Sequence, residues 1–91
     1  MALIIGHIPP VECLHEYGIR MKALMDRFQN IIRFSMYGHD HLETFYIQEA
    51  VNKTDPIGWN YIVGTAGTIY DNNPGFSVVE FDDQYMVPTN I

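Results

Sequence analysis

Ninety-one residues are enough for one small domain, and 47% hydrophobic residues mark a globular chain rather than a disordered one. The net charge of −6, with five Lys and Arg in all, leaves no cationic face for a nucleic-acid polymer. The single cysteine, Cys13, cannot form an internal disulfide and reads as a small apolar filler on a helix.

In chain order, Ala2–Ile5 reads as a short buried strand, and Pro9-Pro10 then breaks extended pairing. No apolar run is long enough to cross a membrane, so no transmembrane segment is expected, and Met1–Ile5 lacks the basic region of a signal peptide. From Val11 to about Asn30 the apolar period becomes helical: Leu14, Tyr17, Met21, Leu24, Met25 and Phe28 form a stripe read as core packing. Lys22, Asp26 and Arg27 fall on its wet side. Gly18 costs this helix about 1 kcal/mol relative to alanine.

Ile31–Tyr37 reads as a second buried strand, broken by Arg33 and Ser35, and Leu42–Gln48 as a third with alternating faces. Ala50–Gly58 is a polar loop that contains the sequon Asn52-Lys53-Thr54, a weak signal. Trp59–Gly64 is a fourth strand and Thr65–Asn73 a loop. Asn73-Pro74-Gly75 has type II turn chemistry, Phe76–Phe81 is the last strand, and Asp82 onward reads as a frayed end. The resulting fold class is α/β: a mixed half-sheet with one main helix, a parallel first pair of strands followed by antiparallel meanders. One helix covers one face, so the other should expose apolar side chains.

Gly38-His39-Asp40-His41 is the main chemical signal. It follows the second strand, and two histidines at i and i+2 on extended backbone would project to the same side, with Asp40 pointing away. Gly6-His7 follows the first strand in the same way. Ligands gather at the carboxyl ends of strands in α/β sheets, and neutral imidazole is a common metal ligand. His7, His39 and His41 are therefore the candidate metal ligands, able between them to hold one zinc with water as the fourth ligand. His15 reads as a helix-surface histidine.

Gly6-His7-Ile8-Pro9-Pro10, a helix, Gly38-His39-Asp40-His41 and Asn73-Pro74-Gly75-Phe76, in that order, resemble the calcineurin-like metallophosphoesterases. Within them they are similar to the acid sphingomyelinase-like phosphodiesterases. The resemblance runs from about Leu3 to Asp82 and implies that residues 1–91 form the carboxyl-terminal portion of a metallophosphoesterase catalytic domain. It implies a partial sandwich of two sheets, with helices outside. It also implies two divalent ions, zinc foremost, in a full-length parent that hydrolyses a phosphodiester of a lipid headgroup or nucleotide. His7 and His39 would bind one ion and His41 the other. The ions would polarise the phosphoryl group and activate an attacking water. Thr65–Asn73 matches a segment near the family's active-site mouth, so Thr68 and Tyr70 become candidate substrate contacts. Members are commonly secreted or lysosomal.

The departures from the pattern shape the expectation. Val11 stands where the family commonly has glycine. The Asp-x-His, Gly-Asp and Gly-Asn-His blocks, which carry the bridging aspartate, further ligands and the leaving-group acid, are absent from these 91 residues. No catalytic residue is therefore assigned. The chain is expected to be a fragment of a phosphodiesterase, inactive alone and holding at most one ion weakly. The competing expectation is a small non-catalytic metal-binding or interaction module.

Overall fold

The computed structural model describes residues 1–52 and 54–91; Lys53, the middle of the sequon, lies outside the described residues. Its principal extents of 38 × 33 × 19 Å describe a flat slab, the shape of a sheet with cover on part of its surface. Four strands form the main sheet: β1 (Ala2–Ile5), β2 (Ile32–Tyr37), β3 (Thr44–Glu49) and β4 (Pro56–Ile62), in the order β1-β2-β4-β3. Helix α1 (His15–Arg27) connects β1 to β2.

The mixed α/β class and the parallel β1–β2 pair agree with the sequence. The meander does not. β4 inserts between β2 and β3, running parallel to β2 and antiparallel to β3. Its Pro56 start lies inside the segment read as a loop. Trp59, Asn60, Tyr61 and Ile62 pair with Phe34, Ser35, Met36 and Tyr37. That insertion buries Asn60, Tyr61 and Ile62 at the centre of the sheet, which suits the apolar bulk of Tyr61 and Ile62.

The expected helix from Val11 to Asn30 is shorter and starts later. Pro10–Glu12 form a 3-10 turn, and Cys13 and Leu14 are extended before α1 begins at His15. Proline lacks the N–H that a continuous helix would use, and its fixed φ suits the first turn of a separate element. The expected stripe is also rotated. Met25 alone of that stripe is fully buried, while Leu14, Tyr17, Leu24 and Phe28 are exposed. The inward face instead runs through Gly18, Met21, Lys22 and Met25. Asp26, expected on the wet side, accepts the backbone N–H of Val51 at 2.8 Å and the amide of Gln29 at 3.0 Å. The helix is thereby pinned to the β3–β4 connection.

Gly18 explains the rotation. A Cβ at this position would lie 2.6 Å from the carbonyl oxygen of Pro10. The missing side chain lets α1 lie directly against the Pro10–Glu12 turn. Alternation along the strands then divides the sheet into two faces. Ser35, Tyr37, Tyr46, Gln48, Asn60 and Ile62 belong to one, and Gly18, Ile19 and Lys22 of α1 face Tyr46 and Gln48 across a groove of about 390 Å³. Ser35, Gln48 and Asn60 are buried in this layer, with the Asn60 amide donating to Gln48 Oε1 at 3.4 Å.

The opposite face carries Phe34, Phe45, Ile47, Trp59 and Tyr61. The Phe34 and Trp59 rings lie 4.6 Å apart and Phe45 packs edge-on to Trp59 at 6.1 Å. Phe45 and Ile47 remain more than half exposed, so the expected open apolar face is present. Part of it is covered by the chain's end, which is not frayed. β5 (Glu80–Phe81) and β6 (Pro88–Asn90) form an antiparallel hairpin, and Phe81 meets Phe34 at 5.5 Å. Asp82 builds the turn by accepting the N–H groups of Gln84 and Tyr85, and Met86 takes a left-handed φ of 52°. The expected strand Phe76–Phe81 shrinks to its last two residues, because residues 76–79 have no neighbouring strand to pair with among the described residues. The expected type II turn at Asn73-Pro74-Gly75 is absent as well. It requires a positive φ at Gly75, and no glycine here has one; the Gly75 N–H instead bonds the carbonyl of Thr65 at 3.0 Å and closes the loop.

Gly18→Ala tests the helix contact. Propensity favours alanine by about 1 kcal/mol, whereas driving a methyl into a fixed carbonyl costs about 1–3 kcal/mol. Packing against Pro10 predicts a lower urea midpoint for the variant; a raised midpoint would show that the approach does not constrain the fold.

Candidate metal and phosphoester site

The site is built where β1 and β2 end side by side. Their parallel ladder continues past the strands: Gly6 N–H donates to the Met36 carbonyl at 3.0 Å, and Gly38 N–H donates to the His7 carbonyl at 2.9 Å. This zipper sets His7 beside the Gly38-His39 corner. His39 Nδ1 lies 3.4 Å from His7 Nε2, and the two rings meet nearly perpendicular, with centroids 5.2 Å apart. Two nitrogens each about 2.0–2.1 Å from a tetrahedral zinc stand about 3.3 Å apart. The pair therefore has the bite of a shared cation, and both atoms are imidazole nitrogens of the kind zinc takes.

The backbone around them is not extended. His39 has φ 80° and His41 φ 61°, both left-handed, and residues 39–42 form bends. The extended backbone expected to project both histidines to one side is therefore absent: the chain coils at Gly38 rather than running on as a strand. The coil turns His39 toward His7 and sends His41 elsewhere. It also brings Asp40, expected to point away, onto Glu12. Among the described residues no group of three or more His, Cys, Asp or Glu side chains comes close enough to hold a metal ion. His7 and His39 are brought together; His41 is not a third member of that pair.

His41 lies at the mouth of a second, smaller cleft of about 210 Å³, lined by His41, Glu43, Thr65, Asn72, Asn73 and Ser77 among others. Its Nδ1 is buried without a hydrogen-bond partner among the described residues. Its carbonyl accepts the Asn72 amide at 3.5 Å, and its ring lies 6.0 Å from Tyr70. Tyr70 and Asp71 both have positive φ, which lifts the 3-10 turn Ile69–Asp71 off the sheet and leaves Tyr70 73% exposed. Thr68 caps the start of that turn and is exposed. Of the two candidate substrate contacts, Tyr70 stands beside a candidate ligand and Thr68 one step back along the loop. Across the cleft, Tyr61 donates its hydroxyl to Glu43 and lies 2.7 Å from Ser77 Oγ, tying the loop to the sheet.

Glu12 and Asn72 carry no signal in the sequence. Glu12 Oε2 lies 3.6 Å from His39 Nε2, delivered by the Pro10–Glu12 turn. A hydrogen bond to Asp40 raises the Glu12 carboxyl above its ordinary value, with desolvation and the Asp40 charge adding and His39 opposing.

These features meet known relatives at one place. No protein-family model matches the chain. Sphingomyelin phosphodiesterases from Bos taurus and Homo sapiens are each 32% identical to it over 91 residues, covering 97% of this chain. Sphingomyelin phosphodiesterase A of Dictyostelium discoideum is 33% identical over 84 residues, covering 88%. The chain is homologous to one segment of the sphingomyelin phosphodiesterases. It spans about 14% of the length of these relatives. The likeness supports the acid sphingomyelinase-like branch of the resemblance.

Tyrosines underlie the site. Tyr37 is buried against the Gly6 backbone, and desolvation raises its hydroxyl pKa above the ordinary value. Burial raises Tyr46 strongly, and burial followed by the hydrogen bond to Glu43 raises Tyr61. With folded values above unfolded ones, their contribution is full below pH about 10 and is lost as pH rises, because the unfolded chain releases these protons first. The urea midpoint should fall from pH about 10 upward. Absorbance at 295 nm should show three of the six tyrosines ionising together with unfolding; ionisation of all six before unfolding would contradict the burial.

Proposed function

We propose that the chain is the carboxyl-terminal part of the catalytic domain of a calcineurin-like metallophosphoesterase, of the acid sphingomyelinase-like branch, and contributes half of a two-metal phosphodiesterase site. The observation that carries this is the 3.4 Å approach of His7 Nε2 and His39 Nδ1 at adjacent parallel strand ends. It occurs in a chain homologous over nearly its whole length to sphingomyelin phosphodiesterases.

In this reading His7 and His39 hold one divalent ion, zinc, through the two facing nitrogens. His41 serves a second ion through its unpartnered Nδ1 or its opposite nitrogen. Such ions polarise a phosphoryl group and lower the pKa of bound water when present. The chain's own residues position that chemistry. The β1–β2 zipper fixes the spacing of the imidazoles, and the Thr65–Asn73 loop carries Thr68 and Tyr70 to the rim, where a phosphodiester of a lipid headgroup or nucleotide would lie. The leaving-group acid and the bridging carboxylate come from elsewhere in the parent, so these 91 residues alone do not turn over substrate.

One observation favours the second reading, a small non-catalytic metal-binding or interaction module: just two candidate ligands converge among the described residues. Titration calorimetry with zinc separates a metal-holding segment from a metal-free interaction module. The phosphodiesterase segment should take at most one ion, weakly, and lose it in His7→Ala and His39→Ala. Absence of zinc binding would remove the metal centre and favour the interaction module. With a chromogenic phosphodiester and excess zinc, the expected rate is that of the metal blank. Turnover above it that vanishes in His39→Ala would overturn inactivity alone.

A further inference from the structure

We propose that Glu12 is the positioning residue of the imidazole pair: its carboxylate engages the Nε2–H of His39 and thereby turns the Nδ1 lone pair of that ring toward His7. The inference rests on the metal reading for its purpose but not for its geometry. A neutral imidazole carries one N–H and one lone pair, and a carboxylate only accepts. His39 has Glu12 Oε2 at 3.6 Å from Nε2 and His7 Nε2 at 3.4 Å from Nδ1. The carboxylate on the far side selects the Nε2–H form. His7 then supplies the proton between the rings in the metal-free chain, and a cation takes its place once His7 carries its own proton on Nδ1.

The distance of 3.6 Å is an electrostatic contact rather than a hydrogen bond. The backbone delivering Glu12 has little freedom. Pro9 and Pro10 fix the approach, the Glu12 N–H bonds the Pro9 carbonyl at 3.0 Å, and Gly18 of α1 seats on Pro10. Asp40 lies beside Glu12, and its negative charge opposes ionisation of the Glu12 carboxyl. A histidine ligand whose second nitrogen meets a carboxylate is a recurring arrangement around metals, and loss of that partner costs about 10–100-fold in metal affinity.

Nitrogen-15 NMR of the histidine rings at about pH 8, where imidazole is neutral, tests this in the metal-free chain. Wild type should show His39 mainly as the Nε2–H tautomer. Glu12→Ala should move it toward a mixture, and Glu12→Asp should restore part of the preference. Equal tautomer populations in wild type and Glu12→Ala would overturn the proposal. Zinc titration adds the second readout: Glu12→Gln should weaken binding about 10-fold or more, and unchanged affinity in a chain that does bind zinc would also overturn it. If wild type takes no zinc, the metal reading falls while the tautomer result still decides the role of Glu12.

Discussion

The pairing of β1 with β2 beyond their strand ends is the interaction on which the site depends. Two backbone hydrogen bonds, Gly6 to Met36 and Gly38 to His7, continue the parallel ladder into the corners that carry the histidines. Side-chain contacts do not bring His7 and His39 together. The main chain does, with 31 residues of sequence between them. The crossover through α1 makes that registration possible, because parallel neighbours need a connection of a dozen or more residues. Everything nearer the chemistry, including the Glu12 contact, is arranged around this pair.

The sheet behind the pair is uneven in what it buries. On the α1 side lie polar groups, with Ser35 and Asn60 wholly buried and the Asn60 carbonyl oxygen without a partner among the described residues. On the other side lie aromatic rings, several still in water. An all-apolar layer under the helix and a polar outer face would be the commoner arrangement. A sheet with polar groups beneath its helix and aromatics on its open face keeps its strongest unsatisfied hydrophobic surface away from α1. The C-terminal hairpin responds to that surface by setting Phe81 on Phe34.

Much of the fold was legible because strand signals are local. β1, β2 and most of β3 follow from apolar and β-branched runs, and the β1–α1–β2 unit from the change of period between them. Strand order was not legible. Nothing local in Trp59–Ile62 says that it will slide between β2 and β3, since that choice is made by burying Asn60, Tyr61 and Ile62 together. The helix face does not follow the apolar stripe from Leu14 to Phe28. Close approach at Gly18 set the rotation instead. The tail was misread because a short hairpin built on Asp82 lacks a strong propensity signal. In the site, the glycine-histidine pairs were enough to find His7 and His39. The reason they meet differs from the one inferred: His39 reaches its neighbour from a left-handed turn rather than from an extended strand. Glu12 could not be found from sequence, since its relation to His39 exists only after the proline turn has folded.

The left-handed backbone at positions 39 and 41 bears on what evolution can place there. Among non-glycine residues, Asn, Asp and His enter that region most readily, whereas β-branched residues resist it. The same short catalogue supplies good donors to cations. Drift to valine or threonine at either corner would be penalised through chain geometry, while exchange for asparagine or aspartate would avoid that penalty. Main-chain shape thus narrows the alphabet before any reaction chemistry is consulted.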